Sequence, residues 1–185
     1  MTQLASKSQL RMSFLRIALF TVPGTVLLGT LSGILSNSGY SNAWFNALKL
    51  PSFMPPGWAF GAAWTILYIL LGLSLAMLIH ARGALKRGQL IGLFLVQLAI
   101  NYAWSPVFFA MNKVELGLYL IGAMLMLTIA LIFLLWRVRR AASLLLLPYL
   151  AWLCFAAALN FQIMVDNPNA ERLAPRGGST DIRLN

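Results

Sequence analysis

VELGLYLIGAMLMLTIALIFLLW, residues 114–136, is a stretch of 23 residues whose one charged side chain, Glu115, lies at its start. An α-helix needs about 20 apolar residues to cross the hydrocarbon core of a bilayer. Four other stretches of this kind cover residues 13–35, 57–79, 90–111 and 144–165. Backbone polar groups in lipid must be paired within their own segment, so we expect helices at all five positions. The predicted fold class is therefore an all-α membrane protein, a five-transmembrane-helix bundle with a structured first loop.

The composition excludes several other classes of protein. Of the 185 residues, 60% are hydrophobic and 10% are charged, and the mean hydropathy is +0.79. A soluble domain carries about 25% charged residues, so a soluble enzyme, a disordered chain and a DNA-binding domain are all excluded. The single cysteine, Cys154, excludes a disulfide framework.

Polar residues flank the five-helix region on both sides. We expect an N-terminal tail over residues 1–12 and one transmembrane domain over residues 13–165. Residues 166–185 carry two prolines and a Gly-Gly pair, and this composition predicts a disordered tail. The connections between spans two and five are short, so neighbouring helices should run antiparallel.

Lysine and arginine concentrate in alternate connections. The N-terminal region, the second connection and the fourth connection each carry three, whereas the first and third carry only Lys49 and Lys113. Because basic residues favour the cytoplasmic side, the N-terminus should be inside and the C-terminus outside. This topology accounts for the net charge of +10, so no nucleic-acid partner is expected.

The centres of the predicted spans lack ionisable side chains. The acidic residues Glu115, Asp166, Glu171 and Asp181 lie at or beyond span ends, and the one histidine, His80, follows the second span. Ion-coupled transporters and proton pumps place such groups inside the membrane. No spacing of ligands suggests a metal, and no pair suggests acid–base catalysis. We therefore predict no metal, no required cofactor and no catalytic residue.

Some aromatic residues lie deeper than an interfacial belt requires. Trp64 and Trp152 fall about a third of the way into their spans, and Trp104 precedes Pro106 by two residues. Asn101 and Asn160 are polar residues within spans. They have two interpretations, as hydrogen-bonding contacts between helices or as the few polar groups of an apolar pocket.

The first loop, residues 36–56, is the longest connection and is rich in aromatic residues and proline. These features favour a folded cap over a cavity, with a short helix near residues 41–48 capped by Ser41 or Asn42. The alternative is a loop that lies among the lipid headgroups. Prolines 23, 106 and 148 should kink three helices and open space between them.

Small residues recur along one face of the third span. Gly88, Gly92, Ala99 and Ala103 follow the spacing that allows close helix contact. They are candidates for the seam of a homodimer, and packing within the bundle is the alternative.

Three spaced blocks of aromatic and proline residues run through the chain. They are Trp44-x3-Leu48-x2-Pro51-x3-Pro55-Pro56 followed by Phe60, Trp64 and Tyr68; Asn101-x2-Trp104-x-Pro106-x-Phe108-Phe109; and Pro148-Tyr149-Leu150-x-Trp152-x2-Phe155-Ala156-x2-Leu159-Asn160-Phe161. In this order they resemble the signature of the TspO/MBR family, the tryptophan-rich sensory proteins and translocator proteins, which includes the peripheral-type benzodiazepine receptor.

The resemblance implies a homodimeric five-helix bundle with a cavity closed by the first loop. It implies binding of porphyrins, such as protoporphyrin IX and haem-type tetrapyrroles, and of isoquinoline or benzodiazepine-type ligands. Pro51, Pro55 and Pro56 would shape the lid, and Lys49 could meet a porphyrin carboxylate at the mouth. The implied lining is Trp44, Phe45, Phe60, Trp64, Asn101, Trp104, Ser105, Trp152, Ala156 and Leu159.

The end of the fifth span departs from the mammalian sterol pattern of Leu/Val, Tyr and Lys/Arg. Phe161 stands at the tyrosine position, and no basic residue follows until Arg172. This departure argues against a sterol ligand and favours a bacterial-type member in a bacterial cell membrane. Two alternative functions remain: a light- or oxygen-dependent porphyrin-degrading enzyme, and a regulatory membrane protein that acts through partners.

Overall fold

The computed structural model describes residues 6–173 and is 79% helical, with no strand in that range. Its α-helices in chain order are α1 (Lys7–Leu35), α2 (Ala43–Asn46), α3 (Gly57–His80), α4 (Arg87–Ser105), α5 (Val114–Trp136), α6 (Arg140–Leu144) and α7 (Leu147–Asp166). The segments long and apolar enough to cross a membrane are Lys7–Leu35, Gly57–His80, Arg87–Ala110, Val114–Trp136 and Arg140–Asp166. The predicted fold class is confirmed.

The first spanning helix begins earlier than hydropathy alone predicted. Ser6 caps α1: its Oγ accepts a hydrogen bond from the backbone N–H of Gln9 at 3.2 Å, and the Gln9 side chain accepts one from the Ser6 N–H at 2.9 Å. This reciprocal capping box begins a helix within polar sequence. Residues 7–12, predicted as a tail, are therefore helical, and residues 1–5 lie outside the described range.

Two of the three internal prolines lie at helix boundaries rather than within a helix. Pro106 has no N–H for the regular helical bond, and α4 changes there into a π-helical turn, Pro106–Ala110. Pro148 lies in the first turn of α7, where its missing N–H has no consequence. Pro23 lies within the continuous helix α1.

Glycines allow α1 and α3 to pack closely. A Cβ atom on Gly29 would stand 2.1 Å from the Tyr68 ring, and one on Gly72 would stand 2.6 Å from the hydroxyl of Thr25. Thr21 and Thr25 donate across this contact to the carbonyls of Gly72 and Tyr68, each at 2.9 Å. The contact therefore fixes Tyr68, which points toward the other helices.

The first loop and the chain that follows α7 meet at one end of the bundle. A 3-10 helical turn, Ala170–Leu173, follows α7, and Ala170 is buried with Trp44 and Phe45 of the first loop. This stretch belongs to the tail predicted to be disordered, yet its residues 167–173 pack against the loop. The remainder of that tail, residues 174–185, lies outside the described range.

Candidate ligand cavity

A cavity of about 480 Å³ lies beneath the first loop, among α1, α3, α4, α5 and α7. Small-molecule sites in proteins have volumes of roughly 300–1,000 Å³. None of the described residues in its wall is charged. The aromatic part of the wall consists of Tyr40, Phe45, Phe60, Trp64, Tyr68, Trp104, Phe108, Phe109 and Trp152.

One array of rings joins α3 to α7. Trp64 stacks on Tyr68, with ring centroids 5.3 Å apart and planes 27° apart. Trp152 meets Trp64 edge to face at 6.2 Å and Phe60 at 5.8 Å. Each such contact contributes about 0.5–1.5 kcal/mol beyond its buried area, so these indoles form a defined wall.

A second array follows the π-helical turn at the end of α4. Trp104 stacks on Phe108 with centroids 5.0 Å apart and planes 16° apart. Phe109 packs edge to face on Phe108 at 4.9 Å. The turn therefore places two consecutive phenylalanines in the cavity wall.

The first loop is folded over the cavity by its own hydrogen bonds. Asn42 caps α2, because its Oδ1 accepts from the Phe45 N–H at 3.1 Å. The Nδ2 of Asn42 also donates to the Phe109 carbonyl at 3.3 Å, which ties the loop to the π-helical turn that follows α4. The Tyr40 hydroxyl donates to the Pro55 carbonyl at 2.7 Å. These contacts confirm the short helix and the Asn42 cap that the sequence predicted.

The C-terminal segment, residues 167–173, holds the first loop from outside. Asn167 accepts a bond from the Lys49 N–H at 2.8 Å and donates to the Lys49 carbonyl at 3.0 Å. The indole N–H of Trp44 donates to the Ala170 carbonyl at 2.8 Å, and this bond is buried. The lid thus consists of the first loop and a segment far from it in sequence.

Charged side chains at the lid end are exposed. Lys113 forms an ion pair with Glu171 at 2.6 Å, and both side chains are about half exposed. The side chain of Lys49 is exposed and is not part of the cavity wall. The predicted contact of Lys49 with a porphyrin carboxylate at the mouth therefore stays a prediction.

A buried polar cluster, which we call the floor network, closes the other end of the cavity, about three turns into α3. The Tyr68 hydroxyl donates to Asn101 Oδ1 at 3.0 Å. The amide N–H groups of Asn101 and Gln97 donate to the Tyr149 oxygen at 2.8 and 2.6 Å. Tyr149 in turn donates to the sulfur of Met124 at 3.4 Å.

Most of the predicted lining residues are in the wall, and two are not. Those in the wall are Phe45, Phe60, Trp64, Trp104, Ser105, Trp152, Ala156 and Leu159. Trp44 lies outside it because its indole is bound to the C-terminal segment. Asn101 lies behind it because both of its amide groups are bonded within the floor network.

Several wall residues were not predicted from the sequence, although some of them stand in recognisable sequence blocks. Tyr68, Phe108 and Phe109 stand in the family-like blocks but were not assigned to the wall. Met124 has no signal in the sequence beyond its place in an apolar run. The lid prolines do not line the cavity; Pro55 accepts the Tyr40 bond and Pro56 precedes the first turn of α3, and Pro51 is buried within the loop.

The small-residue face of α4 points away from the bundle. Gly88, Gly92, Ala99 and Ala103 are all exposed. A Cβ atom on Gly88 or Gly92 would meet no atom within 4 Å. Packing within this bundle therefore does not account for the pattern, and the dimer seam stays a prediction.

Known proteins resemble this chain over the five-helix region. The family described as TspO/MBR matches residues 21–165. The tryptophan-rich protein TspO of Archaeoglobus fulgidus is 40% identical over 124 residues, 67% of this chain and 80% of that protein. Protein CrtK of Rhodobacter capsulatus is 34% identical over 130 residues, 68% of this chain and 79% of its own length.

A mammalian protein is similar to the same degree. The translocator protein of Sus scrofa is 34% identical over 152 residues, which cover 78% of this chain and 88% of that protein. The family match extends from within α1 to the end of α7 and includes all three sequence blocks. The chain is therefore an integral, multi-pass membrane protein that belongs to the TspO/MBR family.

Proposed function

We propose that this protein is a translocator-like membrane receptor that binds flat apolar ring systems in the cavity under the first loop. The ligand classes are porphyrins, including protoporphyrin IX and haem-type tetrapyrroles, and isoquinoline or benzodiazepine-type molecules. The observation that carries the proposal is a cavity of about 480 Å³ whose wall contains two ordered aromatic arrays and no charge among the described residues. The name of one relative, translocator protein, supports the translocator-like part of the proposal.

The arrangement of the wall favours a planar ligand. The faces and edges of Trp64, Trp152 and Trp104 are available to a ring system, and each aromatic contact adds about 0.5–1.5 kcal/mol to the burial of apolar area. An ionised group inside the cavity would have no opposite charge nearby, so the carboxylates of a porphyrin should remain near water. The lid then covers the bound ring system.

A titration of the detergent-solubilised protein tests this proposal. Protoporphyrin IX, haem and a sterol are compared on one sample, with binding followed by tryptophan quenching and by the absorbance of the pigment. We expect saturable binding of the two tetrapyrroles and none of the sterol. The double substitution Trp64→Ala with Trp152→Ala should weaken porphyrin binding at least about tenfold, since it removes two stacking surfaces.

The matched control is a variant that also loses two tryptophans, both of them outside the cavity wall. Trp58 and Trp136 are 77% and 47% exposed and do not line the cavity. The double substitution Trp58→Ala with Trp136→Ala should leave the affinity unchanged. Undiminished binding in the Trp64/Trp152 variant would place the ligand outside the cavity and reject the proposal.

We also propose a homodimer whose seam is the exposed small-residue face of α4. Replacing Gly88 and Gly92 with leucine should give a monomer, because larger side chains prevent close approach of two helices. Molecular mass in detergent by light scattering measures this. Gly122→Leu is the control, since its position on α5 is also unobstructed; an unchanged dimer in the Gly88/Gly92 variant rejects this seam.

The orientation proposed from charge is N-terminus inside and C-terminus outside, in a bacterial cell membrane. A cysteine introduced at Ser179, in a Cys154→Ala background, reports the side of the C-terminus. We expect labelling of intact cells by a maleimide that does not cross membranes. Labelling only after lysis contradicts the orientation.

A further inference from the structure

Charged side chains are distributed unequally between the ends of the bundle. The described acidic residues, Glu115, Asp166 and Glu171, all belong to the lid end. At the opposite end, where α1 begins, no acidic residue is found among the described residues. We call this surface the basic end, and its cations are Lys7, Arg11, Arg16, Arg82, Lys86, Arg87, Arg137, Arg139 and Arg140.

The cations of the basic end are not neutralised within the described protein. Arg87 has a structural role, since its guanidinium donates two hydrogen bonds to the Ile79 carbonyl near the end of α3, at 3.0 and 2.6 Å. The side chains of Arg11, Arg82 and Lys86 are exposed. Within residues 6–173 the ion pair lies at the lid end instead. The counter-charge of the basic end must therefore come from outside these residues.

Two separate segments of the chain meet at the basic end. The ring of Phe14 on α1 meets the ring of His80 edge to face, with centroids 6.0 Å apart, and His80 is the last residue of α3. Arg11 precedes Phe14 by three residues and so lies on the same face of α1. Arg82 follows His80 by two residues. The first turns of α1 therefore lie beside the loop between α3 and α4.

Length and exposure place this surface in the headgroup layer of a bilayer. The 29 residues of α1 make a helix about 43 Å long at 1.5 Å per residue, whereas the hydrocarbon core is about 30 Å thick. Apolar side chains stand among the cations: Leu85 is 84% exposed, Met12 50% and Leu10 48%. Basic and apolar side chains together are typical of surfaces at the headgroup boundary. A soluble polyanion would use only the cations.

We propose that the basic end binds anionic phospholipids of the adjoining leaflet, with a lipid phosphate between Arg11 of α1 and Arg82 and Lys86 of the loop. Guanidinium groups donate paired hydrogen bonds to phosphate oxygens. A zwitterionic headgroup carries its own cation, which these side chains repel, so an anionic headgroup is favoured. Topology accounts for the end at which basic residues collect; their exposure beside apolar side chains points to lipid. None of these residues lines the cavity, so the inference is independent of the proposed function.

Native mass spectrometry of the detergent-solubilised protein tests the proposal. Phosphatidylglycerol and phosphatidylcholine with identical acyl chains are titrated, and the dissociation constant of the first bound lipid is measured for each. In the wild type phosphatidylglycerol should bind at least about fivefold more tightly, the contribution expected of one basic residue near an anionic headgroup. Raising the ammonium acetate concentration about tenfold should reduce this preference to about twofold or less, because salt screens exposed charges. Equal binding of the two lipids, or a preference unchanged by salt, overturns the proposal.

A triple variant locates the binding surface. Arg11→Gln, Arg82→Gln and Lys86→Gln together should reduce the preference for phosphatidylglycerol to about twofold or less and leave phosphatidylcholine binding unchanged. Arg87 is retained because it bonds the end of α3. The melting temperature reports folding. If the triple variant does not fold, Arg82→Gln and Lys86→Gln are made singly; each should lower the preference about two- to threefold, and an unchanged preference in both overturns the proposal.

A second triple variant removes three cations from the lid end. Lys49→Gln, Lys113→Gln and Arg172→Gln change the net charge equally, and the preference for phosphatidylglycerol should persist. Equal losses in the two triple variants would show that net charge, and not the basic end, selects the lipid. Inorganic phosphate at constant ionic strength should not displace the lipid; displacement would identify a site for free phosphate and overturn the lipid as occupant. Each of these failures leaves porphyrin binding in the cavity untouched.

Discussion

The two ends of the cavity are held by different kinds of bonds. In the floor network Gln97, Asn101 and Tyr149 are at most 3% exposed and bond one another. At the lid the two bonds between Asn167 and the Lys49 backbone are exposed, while the bond from Trp44 to the Ala170 carbonyl is buried. A hydrogen bond lost at the floor cannot be replaced by one to lipid, whereas a hydrogen bond lost at the lid can be replaced by one to water. The floor should therefore determine stability, and the lid should determine how fast a ligand leaves.

The largest effect is expected from Tyr149→Phe. Removing this hydroxyl leaves the amide N–H groups of Gln97 and Asn101 without an acceptor, and each unsatisfied buried group costs about 1–3 kcal/mol. The free energy of unfolding should fall by roughly 2–4 kcal/mol. Reversible unfolding by dodecyl sulfate in mixed micelles measures it.

The control for this change is a tyrosine of the same kind at the surface. Tyr119 is 64% exposed, and its hydroxyl donates to Glu115 at 2.7 Å. Tyr119→Phe should cost less than about 0.5 kcal/mol, as exposed substitutions usually do. Equal losses in the two variants would contradict the distinction between buried and exposed networks.

A smaller loss is expected where α1 touches the wall. Gly29→Ala places a methyl group 2.1 Å from the Tyr68 ring, and overpacking of this kind costs about 1–3 kcal/mol. Gly24→Ala on the same helix meets no atom within 4 Å and should be neutral or slightly stabilising. The same unfolding assay compares the pair; equal stability of the two variants would show that Tyr68 can move without cost.

The wall and the floor differ in how far sequence could predict them. The depth of Trp64 and Trp152 in their spans follows from counting residues, and both line the cavity. Asn101 and Asn160 look alike in sequence, yet the first is fully bonded and the second has no partner. Asn101 is paired because the hydroxyl of Tyr149, on α7, lies within hydrogen-bond distance of it. Helical periodicity in the sequence does not predict such a contact between two helices.

The lid shows a second limit of the sequence. Trp44 lies in the aromatic first loop and was therefore predicted to line the cavity. Its indole instead donates to the carbonyl of Ala170, 126 residues further along the chain. The polar composition around Ala170 predicted a disordered tail. The bond to Trp44 becomes apparent only once the C-terminal segment, residues 167–173, is seen to pack beside the first loop.

A kinetic effect is expected when the C-terminal segment is loosened. Asn167→Ala removes the two bonds to Lys49 and a third to the Ile163 carbonyl. With a net contribution of about 0.5–1.5 kcal/mol for each bond, partly replaced by water, the dissociation rate of protoporphyrin IX should rise about five- to tenfold. Stopped-flow displacement by excess ligand measures it, and the free energy of unfolding should change by less than about 1.5 kcal/mol.

The nearby ion pair supplies the control for the lid. Lys113→Gln removes the exposed pair with Glu171, and exposed pairs contribute about 0–1 kcal/mol. Its dissociation rate should stay within about threefold of the wild type. An unchanged rate in Asn167→Ala would show that the segment packs on the lid without restraining it.

The smallest effect is expected from the charge of the ligand. At the lid end Lys49 is exposed and the side chain of Lys113 is about half exposed, and both lie outside the wall. The dimethyl ester of protoporphyrin IX should therefore bind within about threefold of the free acid, as expected for interactions of at most ~1 kcal/mol with exposed charges. Raising the salt concentration should also leave the affinity of the acid nearly unchanged, because salt screens interactions between exposed charges and no charged side chain lines the cavity among the described residues. A much weaker ester together with a salt-sensitive acid would show that a cation does hold a carboxylate, and Lys49→Gln would then identify which one. The lid would in that case recognise the ligand as well as cover it, and the contrast with the uncharged floor would be sharper.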